Sequence, residues 1–281
     1  MKVDEKLAEK TGIEGYRDFL VRRDGEADLV HRRLTSREEF FAGIEDNPVR
    51  SAYRIDRQVF LRNLRRRKPE PNLDPQTLFV LATAKLNQAE RFGVALGETY
   101  GVNSGDDASP ERVYVELEEH YHTRLLAYVL DIFGLPSQVV VPPLVMRQFV
   151  KMGVFVPERL GIAFVGAGEM AGCILFDELR QVGKELFADE PDVAERIDRL
   201  YTEILTDEIG HVGYCAARCT RPERALMRRL YPYVLRLFVR QTAEVSVLVD
   251  AQRLATLIEQ PFDVERLSAG LPNETFLAAH P

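Results

Sequence analysis

The amino-acid sequence predicts an all-α fold, and three observations carry that reading. Apolar residues recur with helical period through several long segments. Those segments open on Asp74-Pro75, Ser109-Pro110, Pro157, Glu190-Pro191 and Pro222, with proline in the first turn. No run alternates as a half-buried strand would, a brief Val139-Val140-Val141 aside. The composition suits a folded chain: 281 residues, 46% hydrophobic and 29% charged.

In chain order, residues 1–72 form a charged extension expected to pack on the core, with short helices over Glu14–Arg22, Ser36–Ile44 and Ala52–Arg66. It ends in the basic run Arg65-Arg66-Arg67-Lys68. That run reads as a solvated helix end whose cations complement the helix dipole, the other reading being a docking patch for an anionic partner. A core region, 73–221, follows with four long helices. The first runs from Pro75 to the Gly97–Gly101 region, and the second from Pro110 to near Gly134. A Pro- and Val-rich connection with a short helix over Leu144–Met152 leads to the third, Pro157 to about Ala188. The fourth spans Pro191 to near Arg221. Residues 222–281 belong to the same domain and supply a further long helix, to about Gln260, and a tail.

Charge and cysteine content exclude several function classes. A net charge of −7 with scattered basic residues argues against nucleic acid as a partner. Cys173, Cys215 and Cys219 are too few and too clustered for a disulfide framework, and the first ten residues carry no apolar signal-peptide core. A cytoplasmic location is therefore expected. The most apolar stretch, Leu160–Phe176, is too short for a confident membrane span and carries Glu169 at its centre, so it reads as a buried helix with no membrane partner.

Glu169 demands an explanation, because an ionised carboxylate among apolar residues and glycines is costly unless it is paired or binds a metal. The histidines supply a companion. Two of the three mid-chain histidines complete Glu-x-x-His, at Glu119–His122 in the second long helix and Glu208–His211 in the fourth. A spacing of three on a helix sets both side chains on one face, about 60° apart, so both can reach one ion. A metal site then asks for one carboxylate from each remaining helix, and depth along the bundle selects them. Glu119 lies nine residues beyond Pro110, and Glu90 lies ten before Tyr100, whereas Glu98 would be misplaced by about 10 Å. Glu208 and Glu169 lie at similar depths on either side of the turn at Pro191. Side chains one turn away should line a cavity: Val165, Gly166, Gly172 and Cys173 on the third helix, Ile204, Leu205 and Cys215 on the fourth, Leu86 and Val94 on the first. The glycines of the third helix mark either an opened channel or π-bulge, or close helix contact. His120 points away from His122.

One Glu from each of two helices with Glu-x-x-His from two more resembles the ferritin-like di-iron carboxylate proteins, over residues 75–218. The resemblance implies a four-helix bundle, here with an additional long C-terminal helix and short N-terminal helices. It implies Glu90, Glu119, His122, Glu169, Glu208 and His211 as ligands of two iron ions, with manganese or a mixed pair as the substitute. It also implies that Glu118 and Asp207, each just before a motif Glu, hold the histidine of the opposite motif. Leu126 stands where the radical-storing branch has tyrosine, and Ile204 where the aromatic-amine N-oxygenase branch, otherwise similar in length, has a further histidine. The implied function is an O2-activating oxygenase or oxidase performing hydroxylation, N-oxygenation or desaturation-type oxidation of a small or carrier-bound organic substrate. Electrons would come from an external donor, and a homodimer is an allowed assembly. Iron storage, ferroxidase or redox-stress protection is the alternative.

Overall fold

The computed structural model describes residues 12–28, 30–103, 109–137, 158–272 and 275–276. The N-terminal part holds α1 (Gly12–Asp24), a two-stranded antiparallel hairpin of β1 (Ala27–Asp28) and β2 (Arg33–Leu34), α2 (Thr35–Asp46) and α3 (Arg57–Leu64). The long helices are α4 (Pro75–Asn103), α5 (Pro110–Ile132), α6 (Glu158–Leu186) and α7 (Pro191–Arg218). Then come α8 (Arg221–Gln241), α9 (Val245–Leu248), α10 (Ala251–Glu259) and α11 (Val264–Ser268). The expected helix over 144–152, and most of the connection containing it, lie outside the described residues.

Local chemistry explains the boundaries. Asp74 accepts the Thr77 amide at 2.7 Å and starts α4. Asp56 accepts the amides of Gln58 and Val59, at 2.7 and 3.0 Å, so α3 begins at Arg57 and not at Ala52 as the sequence suggests. Thr220 and Glu223 form a reciprocal capping box at the start of α8. The expected single helix to Gln260 is broken. The chain leaves α8 at Thr242, is extended at Val249, and restarts at α10 because Asp250 accepts the amides of Gln252 and Arg253. Between them Glu244 is fully buried, accepting a hydrogen bond from Lys85 Nζ of α4 at 2.6 Å. That pair turns the chain from α6 across to α4.

Directions follow from side-chain partners. Gly183 faces Ile197, Arg180 bonds Asp198 and Gly172 faces Glu208, so α6 and α7 run antiparallel. His122 bonds Asp207 and His211 bonds Glu118, so α5 and α7 also oppose each other. Asn87 donates to the Thr123 carbonyl, and the few residues between Asn103 and Pro110 then require α4 and α5 to be antiparallel. α5 and α6 are consequently parallel, so Ile132 and Glu158 stand at opposite ends of the bundle. α6 holds a window of mean hydropathy 1.5 that is long and apolar enough to cross a membrane, yet 56% of that window is buried in the protein. One continuous core includes Phe79, Phe176, Phe187, Leu200 and Tyr201 between these four helices, and Tyr16, Phe19, Phe41 and Phe60 under the N-terminal elements.

Candidate metal centre

Each of the four long helices contributes to one buried cluster at mid-height. The acid and imidazole groups fall into two overlapping sets, Glu90, Glu119, His122 and Glu208, and Glu119, Glu169, Glu208 and His211. Within each set one donor atom per residue lies within 4.8 Å of all the others. Glu119 and Glu208 belong to both. The cluster is thus two adjacent four-donor sites with two shared carboxylates, and its members are the six positions selected by spacing and depth.

Both imidazoles are oriented alike. His122 Nδ1 lies 3.3 Å from Glu208 and 3.7 Å from Glu90, while Nε2 lies 3.1 Å from Asp207 Oδ2. His211 Nδ1 lies 3.1 Å from Glu119, and Nε2 lies 2.9 Å from Glu118 Oε2. The rings stand 5.5 Å apart. Asp207 and Glu118 therefore fix the two rings from behind, each acting across the α5–α7 interface, and leave both Nδ1 atoms directed inward. An outer acid that accepts the far N–H is what a ligating histidine needs, because it selects the tautomer and raises basicity.

Three buried atoms of the cluster have no hydrogen-bond partner: Nδ1 of His122, Nδ1 of His211 and Oε2 of Glu208. Orphaned buried donors and acceptors are expensive, and here all three belong to residues of the two overlapping donor sets. Without cations the cluster has to hold protons. Burial, then the charges of Glu119 and Glu208, push Glu90 up to about 8 against the pull of His122. Burial and the same two charges raise Glu169 well above the ordinary range. Burial alone would lower both histidines, but the carboxylates around them, Asp207, Glu208 and Glu90 for His122, and Glu118 and Glu119 for His211, hold them well above the usual range. Glu119, against its burial, is held down at about 2 by His211 and His122. Four carboxylates and two imidazoles offer a donor set suited to two hard divalent cations, which would displace those protons.

The surroundings were only partly foreseen. Cys173, Ile204 and Leu205, expected to line a cavity, are buried in the continuous core. Leu86 is buried, Val94 and His120 are half-buried, and Cys215 packs in the core. Val165 does not wall a cavity: it is 54% exposed, on a surface shared with Leu160 and Phe164 in the first turns of α6. Val165 shares the helix face of Glu169, which is itself partly exposed, while Ala163, Gly166 and Ala167 at the same height take the sides covered by α7 and α8. The glycines divide between two roles. At Gly166 an added Cβ would stand 2.7 Å from Met227 Sδ and 2.9 Å from Cys215 Cβ, so this residue permits close approach of α8. At Gly172 it would stand 3.4 Å from Glu208 Oε2, so this residue leaves room for a carboxylate. α6 is uninterrupted α-helix from Glu158 to Leu186, without a π-bulge.

Two arginines at the site were not anticipated. Arg23 of α1 and Arg37 of α2 both donate to Oδ1 of Asp207, and both bond Glu203, at 3.2 and 2.6 Å. Arg37 also bonds Asp24 at 3.1 Å. Burial opposes ionisation of Asp207, but the two guanidinium groups and His122 hold its carboxyl far below the usual range. The N-terminal extension is therefore part of the centre's electrostatics and not merely a covering layer. Family models, curated proteins and solved structures all return no match to this chain.

Proposed function

We propose that the chain is a ferritin-like non-haem di-iron oxygenase or oxidase acting on a small organic substrate. One observation carries the reading: two four-donor sets share two carboxylates, with both inward imidazole nitrogens left without partners. Two iron ions, when bound, would supply O2 reduction and the oxidising equivalent.

The protein's own groups have separable tasks. Glu90 with His122, and Glu169 with His211, would hold one ion each, while Glu119 and Glu208 would span both. Asp207 and Glu118 keep the imidazole rings turned. Cys173, Ile204 and Leu205 exclude water on one side. Glu90, Glu119 and Glu169 keep 15, 19 and 16% of their side chains exposed, against 3% for Glu208, so a substrate approaches from the α4–α6 side.

The test is metal content and oxygen uptake. Protein expressed with iron should bind about two irons per chain, and its reduced form should consume O2 faster with a suitable aromatic amine, alkyl acid or aldehyde. Metal content near zero would end the reading. Slow deposition of a large ferric mineral inside a many-chain assembly would assign storage instead.

A further inference from the structure

α8 lies outside the four-helix core and carries six arginines against one glutamate, in a chain whose net charge is −7. Its inner face is closed by Met227, Tyr231, Leu235 and Val239, all buried. Its outer face bears Arg229, Tyr233, Arg236, Leu237 and Arg240, a stripe about 100° wide. Tyr233 and Leu237 are 68% and 50% exposed, and the Arg236 guanidinium stands 5.7 Å over the Tyr233 ring.

The basic run at the end of α3 joins this face. Lys85 Nζ donates to the Arg66 carbonyl at 2.8 Å and to Glu244 at 2.6 Å, which brings that run beside the last turn of α8. Arg65, Arg67 and Lys68 are exposed, and neither they nor Arg229, Arg236 and Arg240 have an acidic partner among the described residues. Arg229, Arg236 and Arg240 thus flank an exposed aromatic and an exposed leucine, and three further exposed cations stand on the segment tied to the turn after α8. A merely solvated face needs neither the apolar centre nor the concentration of one sign.

We propose that this surface docks an acidic one-electron carrier protein. Complementary charge would steer the encounter, while Tyr233 and Leu237 provide the central apolar contact. The identification of the partner as a carrier of electrons rests on the oxygenase reading. The closed inner face of α8 offers no passage for a substrate, whereas electrons need none. Met227, on that inner face, touches α6 at Gly166, one turn from Glu169. Each encounter would oxidise the carrier by one electron and reduce one iron from ferric to ferrous.

The test uses the full chain, metal-free and iron-loaded, titrated calorimetrically with an acidic [2Fe–2S] ferredoxin. Binding should be seen at low salt and weaken as salt rises, as for charge-steered association. Combining Arg229→Glu, Arg236→Glu and Arg240→Glu should weaken it by about tenfold or more, as should Arg65→Glu, Arg67→Glu and Lys68→Glu together. Arg33→Glu, on an exposed arginine of the hairpin, should leave it unchanged. Circular dichroism and iron content report whether the variants fold. No binding at low salt, or equal binding by all variants, overturns the proposal. So does tighter binding to anionic vesicles or duplex DNA, or a dimer that the α8 variant abolishes. Docking is read on metal-free protein too, so its failure and the failure of iron loading are seen separately.

Discussion

The two Glu-x-x-His motifs build unlike halves of one centre. Behind His122 stands Asp207, kept ionised by Arg23 and Arg37. Behind His211 stands Glu118, which burial and the charges of Asp207 and Asp24 raise to about 8, with Oε1 unpartnered. The residue before each histidine differs as well. In the first motif it is Tyr121, whose hydroxyl accepts from the Leu34 amide at 3.0 Å and donates to Glu38 at 2.9 Å, tying the hairpin to α5. In the second it is Gly210, where a Cβ would stand 3.2 Å from the Tyr16 ring, so the missing side chain admits a fully buried tyrosine with an unpartnered hydroxyl. The same spacing of three is backed by two arginines on one side and by a buried tyrosine on the other. The lesson is that the symmetry is broken jointly by the N-terminal elements and by the bundle residues they meet, Asp207 with Arg23 and Arg37, and Gly210 with Tyr16.

The largest effects should come from the shared carboxylates. Glu208→Gln should remove nearly all bound metal, whereas Glu90→Gln should leave about one ion per chain, held by the His211 half. Elemental analysis decides, and equal losses in both variants would mean the halves are not separable.

Removing the backing cations should be next. Arg23→Ala combined with Arg37→Ala leaves Asp207 buried without its partners and should cost about 3–5 kcal/mol in urea unfolding. Asp207→Asn in that background should restore much of the loss, because the uncompensated charge is gone. No restoration would place the cost in lost packing.

The two backing acids should respond oppositely to pH in the metal-free protein. Glu118, raised when folded, binds more protons in the native state, so its contribution is present below the unfolded value of 4.5 and is lost as pH rises toward about 8. Asp207, lowered when folded, contributes above the unfolded value of 3.8 and loses that contribution as pH falls below it. Glu118→Gln should flatten the decline in stability between about pH 4.5 and 8, while Asp207→Asn should lower stability above pH 3.8 and flatten its fall below that.

The smallest contrast concerns the tyrosines. Tyr121→Phe loses two hydrogen bonds and should cost about 1–2 kcal/mol. Tyr16→Phe removes a hydroxyl that has no partner and should be neutral or stabilising by up to about 1 kcal/mol. Chemical denaturation of the two variants measures both, and equal costs would show that Tyr16 bonds a group such as a buried water.

Much of the acid and imidazole cluster was legible along the chain because its rules are local. Three residues on a helix bring Glu119 to His122 and Glu208 to His211, and constant rise per residue ranks Glu90 above Glu98 once two helices are taken as antiparallel. Glu169 stood out because a carboxylate in an apolar helix violates the ordinary cost of burial. Helix starts were legible wherever proline and a capping side chain coincide, as at Asp74-Pro75. The break after Gln241 was not, since it depends on Glu244 meeting Lys85 across 159 residues.

By itself, then, the sequence determined the all-α class, the four long helices and which acids and histidines share a helical face, because periodicity and capping act over a few residues. Only the tertiary structure decided that Glu119 and Glu208 belong to both sets, that Val165 faces outward, and that Arg23 and Arg37 close on Asp207 from 184 and 170 residues away. These depend on where separate segments stand relative to one another, and that placement is set by packing of the whole core, to which no single stretch of sequence has access.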